Sequence, residues 1–246
     1  MSRRPLAPAA RAVARLRADP PIVRPRAHHA CVLAPHPDDE VLLCGGTIIR
    51  LVESGARVSV VHVTDGEATL APGRRASLAR HRRREARRAC TVLGVRDVLA
   101  LGLADGGLSR SLALTAEITR VLERLRPDLV IAPWHGDAPG DHAAVARALD
   151  AALAASSRSP TPRAWSGETW RPLEPDGLVD TTAVRSRQRA AAACHVTPRR
   201  VLDLDAGLAL HRYRGWAALG GHGTCEAFVM RPPPVRRGPR RGLPSP

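Results

Sequence analysis

Residues 32–46 read VLAPHPDDEVLLCGG. An apolar run ends in His36-Pro37-Asp38-Asp39-Glu40, and a second apolar run with helical spacing follows at once. The first run, Ala30 to Ala34, has the length of a buried strand. The second, Val41 to Val52, repeats at helical intervals and meets a stop at Gly55. A buried strand turning directly into a helix opens a βαβ unit, and it sets the period in which the rest of the chain is read.

Outward from this stretch the alternation continues. Val58 to Val63 is a second strand. The segment ASLARHRRREARRACTVLGV is an amphipathic helix with Leu78, Ala86, Ala89, Val92 and Leu93 on one face and Gly94 as breaker. Val98 to Leu101 is a third strand, Leu114 to Leu125 a helix stopped by Pro127, Leu129 to Ala132 a fourth strand and His142 to Ala155 a further helix. After about Ser159 the pattern weakens into short strands near Ala164 to Trp170 and Leu178 to Val179, then a helix from Thr182 to Ala193. The expected fold is α/β: a Rossmann-like, doubly wound, mostly parallel sheet with a small C-terminal capping region. Residues 29–230 are expected to form the domain, between a basic tail at 1–28 and a Pro/Arg-rich tail at 231–246, both expected to be disordered.

Bulk properties narrow the function. The net charge is +15, and every one of the 38 basic residues is arginine. Much of that charge lies in the tails, aromatics are 2%, and no nucleic-acid-binding signature is visible, so no dedicated nucleic-acid binding is expected. No apolar run is long enough for a membrane span, and the N-terminus has no secretory h-region. A cytoplasmic protein is expected. The five cysteines are scattered without C-x-x-C spacing, which argues against a disulfide framework and a thiolate zinc site. No G-x-S-x-G, P-loop or dinucleotide fingerprint is present.

The chemistry lies in two loops that follow strands: PHPDDE after the first and PWHGDAPGDH after the fourth. Parallel sheets bind ligands at the carboxyl ends of their strands, which makes the two loops one candidate site. One aspartate of the pair Asp38-Asp39 suffices as a helix cap. A second carboxylate with a neighbouring imidazole fits a divalent cation, and His plus carboxylate suits zinc. From the residues alone, cap and metal ligand both stand, and His142 is either a ligand or the start of a surface helix. The second loop offers His135, Asp137, Asp141 and His142.

PHPDDE resembles the A-H-P-D-D-E signature of the PIG-L/LmbE family of zinc-dependent N-acetylglucosaminyl deacetylases. VTDGE (63–67), RRREARRACTVLGV, LADGGL (103–108), GDH (140–142), ETWRPLEPDGLVD, RQRAAAACHVT and CEAF resemble further family patterns in the right order. The resemblance implies zinc bound by His36, Asp39 and His142, with Asp38 as general base. It implies an N-acetylglucosamine-containing small molecule as substrate, with acetate and a free amine as products. Arg82 and Asp105 fall on substrate-binding positions, although Arg82 also suits a solvated helix face. The family's H-P-D-H carries a histidine where this chain has Pro139, which leaves Asp141 without the histidine it would orient. Three readings stand. Another histidine substitutes, with His135 first, then His195 or His222; zinc acts alone on the oxyanion; or deacetylation is lost and zinc retained. A zinc amidase acting on a thiol conjugate or other non-sugar amide is the alternative within enzymes. His62, in a valine-rich strand, reads as a satisfied core histidine, and Glu40 has no assigned role.

Overall fold

The computed structural model describes residues 20–68, 75–138 and 140–231. The expected tails through residue 19 and from 232 onward, the loop 69–74 and Pro139 lie outside the described residues. Seven strands form one sheet: β1 (His29–Ala34), β2 (Arg57–Thr64), β3 (Asp97–Leu103), β4 (Leu129–Pro133), β5 (Arg163–Gly167), β6 (Gly177–Asp180) and β7 (Cys225–Arg231). Among the described residues six α-helices pack on it: α1 (Asp39–Glu53), α2 (Arg75–Leu93), α3 (Leu114–Leu125), α4 (Gly140–Ala155), α5 (Arg185–Ala193) and α6 (Leu204–Ala218).

The strand order is β3-β2-β1-β4-β5-β7-β6. The first five strands are parallel, with Val32 beside Val60 on one side and Cys31 beside Val130 on the other. β7 then runs antiparallel to both β5 and β6. This corrects the expected Rossmann-like, doubly wound, mostly parallel sheet with a small C-terminal capping region. The sheet is mixed, and the C-terminal third adds two strands to it as well as the helices α5 and α6. The physical reason is β7, which returns from α6 and inserts between β5 and β6. An apolar strand reads the same in either direction, so its sense is invisible in the pattern.

The period of two distributes the core. Ala30, Val32, Val60, Leu129 and Ile131 face the cluster built from α1, α2, α5 and α6. Their neighbours Cys31, Leu33, Val61, Val130 and Ala132 face the cluster under α3 and α4. Both faces of the central strands are therefore covered, which is why these strands are almost wholly apolar, with Ser59 and His62 of β2 as interior exceptions. Among the described residues no helix is long and apolar enough to cross a membrane.

α1 is kinked at Cys44, whose φ and ψ are −159° and 29°. The second half of the helix thus has its own N-terminus, and Glu226 of β7 caps it. Its carboxylate accepts the Gly46 and Thr47 N–H groups, each at 2.7 Å, and the Gln188 amide at 2.9 Å. Gly46 is required by close approach: a Cβ there would lie 2.4 Å from Thr181 Cγ2. Burial pushes the Glu226 carboxyl up to about 7 despite these donors.

Candidate metal centre

β1 and β4 are adjacent and parallel, and the strand order reverses between them. Their carboxyl ends deliver the two loops to one point, where a switch in strand order opens a crevice. Asp39 enters the first turn of α1. Its Oδ2 accepts the His36 N–H at 2.9 Å and lies 3.1 Å from His36 Nδ1. From the other loop, His142 Nε2 comes within 3.2 Å of the same oxygen. One ligand atom from each of His36, Asp39 and His142 falls within 4.8 Å of the others. His142 Nε2 is buried and makes no hydrogen bond. An orphaned imidazole nitrogen aimed at a buried carboxylate and a second imidazole is costly unless something fills the gap. Two histidines and one aspartate form the donor set of a catalytic zinc site with an open position. The residues present therefore fit the metal.

The outer nitrogens are also held, as ligand orientation requires. His142 Nδ1 lies 2.9 Å from Asp137 Oδ2. The other oxygen of Asp137 accepts the Trp170 and Arg171 N–H groups, both at 2.9 Å. His36 Nε2 lies 3.1 Å from Asp105 and 3.6 Å from Asp141. Asp141 is itself fixed by the Gly106 and Leu108 N–H groups at 2.8 and 3.1 Å. Asp141 thus partners His36, so the missing motif histidine does not leave it idle. Burial alone would lower the two imidazoles. The carboxylates outweigh it, raising His36 well above its ordinary value and His142 to about 9. Burial would raise Asp39, but His142 and His36 hold it far below the usual carboxylate range.

Asp38 sits beside the ligands in a strained conformation, with φ of 136°, a region L-residues rarely adopt. Two neighbours hold it there, Arg82 and Glu40. Arg82 Nη2 donates to Asp38 Oδ2 at 2.8 Å and to the Pro37 carbonyl at 2.6 Å, and its Nη1 reaches the Gly66 carbonyl at 2.9 Å. From below, Glu40 accepts the Asp38 N–H at 3.0 Å. Glu40 is completely buried between His62 Nε2 at 3.0 Å and His195 Nε2 at 2.8 Å. The acid without an assigned role is therefore a strut under Asp38, and His62 is a satisfied core histidine as expected. Burial raises the Asp38 carboxyl to about 6, against the pull of Arg82.

A cavity of about 300 Å³ opens over this group, lined by His36, Asp38, Asp39, Arg82, Asp105 and Trp170 among others. Of the expected site residues, the structure brings together His36, Asp38, Asp39, His142, Arg82, Asp105 and Asp141. It does not bring His135. That side chain is 45% exposed, lies 2.8 Å from Asp150 of α4, and does not line the cavity. Neither do His195, buried against Glu40, nor His222, exposed beside the Gly220 carbonyl. Arg82 is buried, contrary to the solvated-face alternative. The sequence offers Asp137 only as one of four candidates in the second loop, and gives no role to Glu40 or Trp170. For Asp137 the available signal was its place five residues before His142, with a second carboxylate already present at Asp141.

Comparison with known proteins agrees with this geometry. The profile of the PIG-L family, GlcNAc-PI de-N-acetylase, matches residues 31–153. The chain is 34% identical over 134 residues to a probable N-acetyl-alpha-D-glucosaminyl L-malate deacetylase 2 of Bacillus anthracis, a match covering 51% of this chain and 59% of that protein. Among solved structures it resembles the conserved protein TT1542 from Thermus thermophilus, with a TM-score of 0.68, 30% identity and coverage of 87% of this chain and 99% of that one. It also shares the fold of N,N'-diacetylchitobiose deacetylase from Pyrococcus horikoshii, with a TM-score of 0.71, 24% identity and coverage of 84% of each chain.

Proposed function

Because this chain belongs to the PIG-L family of GlcNAc-PI de-N-acetylases, we propose that it is a zinc-dependent hydrolase. Its reaction would remove the acetyl group from an N-acetylglucosamine-containing small molecule, giving acetate and a free amine. The observation that carries this reading is the convergence of His36, Asp39 and His142, whose ligand atoms lie within 4.8 Å of one another and include a buried His142 Nε2 with no hydrogen bond, while Asp38 lines the cavity over them. The deacetylase name of the Bacillus anthracis relative supports the substrate class.

Zinc, when bound, lowers the pKa of water and polarises the acetyl carbonyl. His36, Asp39 and His142 would hold it, with Asp137, Asp105 and Asp141 fixing the two rings. Asp38 takes the proton of the attacking water and returns it to the departing amine. Arg82 keeps Asp38 in place by one charge-assisted bond and two bonds to neighbouring carbonyls. Asp105, at the cavity wall, would accept a sugar hydroxyl.

One observation favours a slower variant of this chemistry. Among the described residues His36 is the only histidine that lines the cavity. Without a second histidine the oxyanion depends on the metal, and loss of one oxyanion donor costs about 100- to 1000-fold. The test is a deacetylation assay across a panel of N-acetyl amino sugars with zinc-reconstituted protein. Turnover on at least one member is expected, falling about 100- to 10,000-fold in Asp38→Ala at unchanged zinc content. Zero turnover throughout, with zinc bound, replaces this reading with a zinc- or sugar-binding paralogue.

A further inference from the structure

Beside the metal cavity lies a second one, of about 480 Å³, which shares Leu42, Trp170 and Leu202 with it. Its other walls include Pro172, and Leu204, Leu210 and Tyr213 of α6. Two of the chain's few aromatic side chains meet here, Trp170 at 47% and Tyr213 at 60% exposure. Scattered exposed apolar groups are ordinary, but two aromatics around one cavity beside a reaction centre are not. Among the described residues no arginine lines this annex, in a chain with 38 basic residues. Its one charged residue, Asp203, caps α6 through the Asp205 and Ala206 N–H groups at 3.0 and 3.1 Å.

The walls are fixed in place. Asp137, which orients His142 with one oxygen, holds the Trp170 backbone with the other. Glu168 accepts a two-pronged ion pair from Arg214 of α6 at 2.8 and 2.7 Å and also accepts the Leu173 N–H at 2.9 Å. These bonds tie the segment 168–173 to α6, so the annex is preformed and a ligand need not order it.

We infer that the annex takes an apolar aglycone, an alkyl or aryl group carried by the substrate sugar. The chain then selects apolar glycosides of N-acetylated amino sugars over those whose aglycone is a polyol or bears a carboxylate. A carboxylate would meet Asp203 and no cation, and a polyol would find polar side chains only at Thr169, Asp203 and Tyr213 in an otherwise apolar lining. The inference rests on the deacetylase reading above.

The test compares kcat/KM of the zinc-reconstituted full chain on methyl, hexyl, glyceryl and carboxymethyl glycosides of N-acetylglucosamine. Each methylene buried is worth about fourfold. The hexyl glycoside should exceed the methyl glycoside by about tenfold or more on that scale, and the glyceryl and carboxymethyl glycosides should not. Two variants locate the effect. Gly207 lines the annex within α6, and the three atoms nearest to a Cβ there all belong to Leu42, the closest at 3.1 Å. Gly207→Leu suits a helix and fills the space, so the hexyl-to-methyl ratio should collapse toward one. Tyr213→Ala should lower the same ratio. Equal kcat/KM for hexyl and methyl glycosides, or a ratio that neither substitution moves, overturns the inference. If zinc-loaded protein turns over none of them, the deacetylase reading fails instead. Calorimetric binding of hexyl against methyl glycoside, with Gly207→Leu as control, then decides the annex: a hexyl preference lost in the variant supports it, and equal binding overturns it.

Discussion

Asp137→Asn should cost metal affinity while the protein still folds. A carboxylate only accepts, so Asp137 Oδ2, 2.9 Å from His142 Nδ1, keeps the ring proton on Nδ1. That leaves the Nε2 lone pair for the metal. The other oxygen accepts three backbone N–H groups, those of Trp170 and Arg171 at 2.9 Å and of Ala138 at 3.1 Å. In the asparagine variant those three donors keep the amide oxygen, so its NH2 turns toward Nδ1. Donor then faces donor unless the ring proton moves to Nε2, which removes the ligand lone pair. The lost charge-assisted hydrogen bond is worth about 1.5–3 kcal/mol, which matches the roughly 10- to 100-fold loss of metal affinity typical of such outer partners. The assay is zinc competition against a chromophoric chelator, paired with denaturant unfolding of the metal-free protein. Asp137→Asn should unfold cooperatively and bind zinc about 10- to 100-fold more weakly. Asp137→Ala orphans three N–H groups at about 1–3 kcal/mol each and should be much less stable. Wild-type zinc affinity in Asp137→Asn would refute the reasoning.

Other outcomes follow from the same geometry. Zinc at about 100 times its Kd should stabilise the protein by about 2.7 kcal/mol, a rise in Tm of about 5–10 °C for a chain of this size. Asp39→Ala should abolish that rise in a thermal melt. Glu226 titrates near 7 in the folded protein, above its unfolded value. Its ionisation therefore destabilises the fold progressively as pH rises from about 4.5 to 7, by about 3 kcal/mol in full. The unfolding free energy of wild type relative to Glu226→Gln should fall by that amount across the window, and a flat difference would count against a buried, strained carboxylate. Gly46→Ala should destabilise by about 1–3 kcal/mol through overpacking against Thr181, partly relieved by Thr181→Ser, as read from denaturant midpoints.

Much of the architecture was legible because both faces of the central strands are buried. Leu129 to Ala132 had to be a continuous apolar run and Val58 to Val63 nearly one, interrupted by Ser59 and His62, and the period of the intervening helices marked where the chain crosses over. Leu114–Leu125 was read with its observed limits. α6 was missed because Gly207 and Gly215 weaken its local preference. Gly215 is there for tertiary reasons, since a Cβ would lie 2.5 Å from the Gly223 backbone. The antiparallel insertion of β7 was equally hidden, because side-chain alternation carries no direction.

In the site, contiguity made the first loop readable: His36, Asp38 and Asp39 are neighbours in the chain, and their residue types alone suggested a cation. His142 stood from the residues alone as either a ligand or the start of a surface helix, and the motif resemblance favoured the ligand. The role of Glu40, the Trp170 and Arg171 donors that fix Asp137, and the placement of His135 away from the cavity depended on partners the loops do not contain. Glu40 meets His195 across 155 residues, and Glu226 caps the kinked α1 at Gly46 across 180. By itself, the sequence determined the alternating elements and the chemical character of the two loops, because local periodicity and residue type act over a few residues. Only the tertiary structure decided which nitrogen faces the metal position, which carboxylate supports which ring, and that an apolar annex adjoins the cavity. Those depend on distances across the sheet, which strand order sets and local sequence does not.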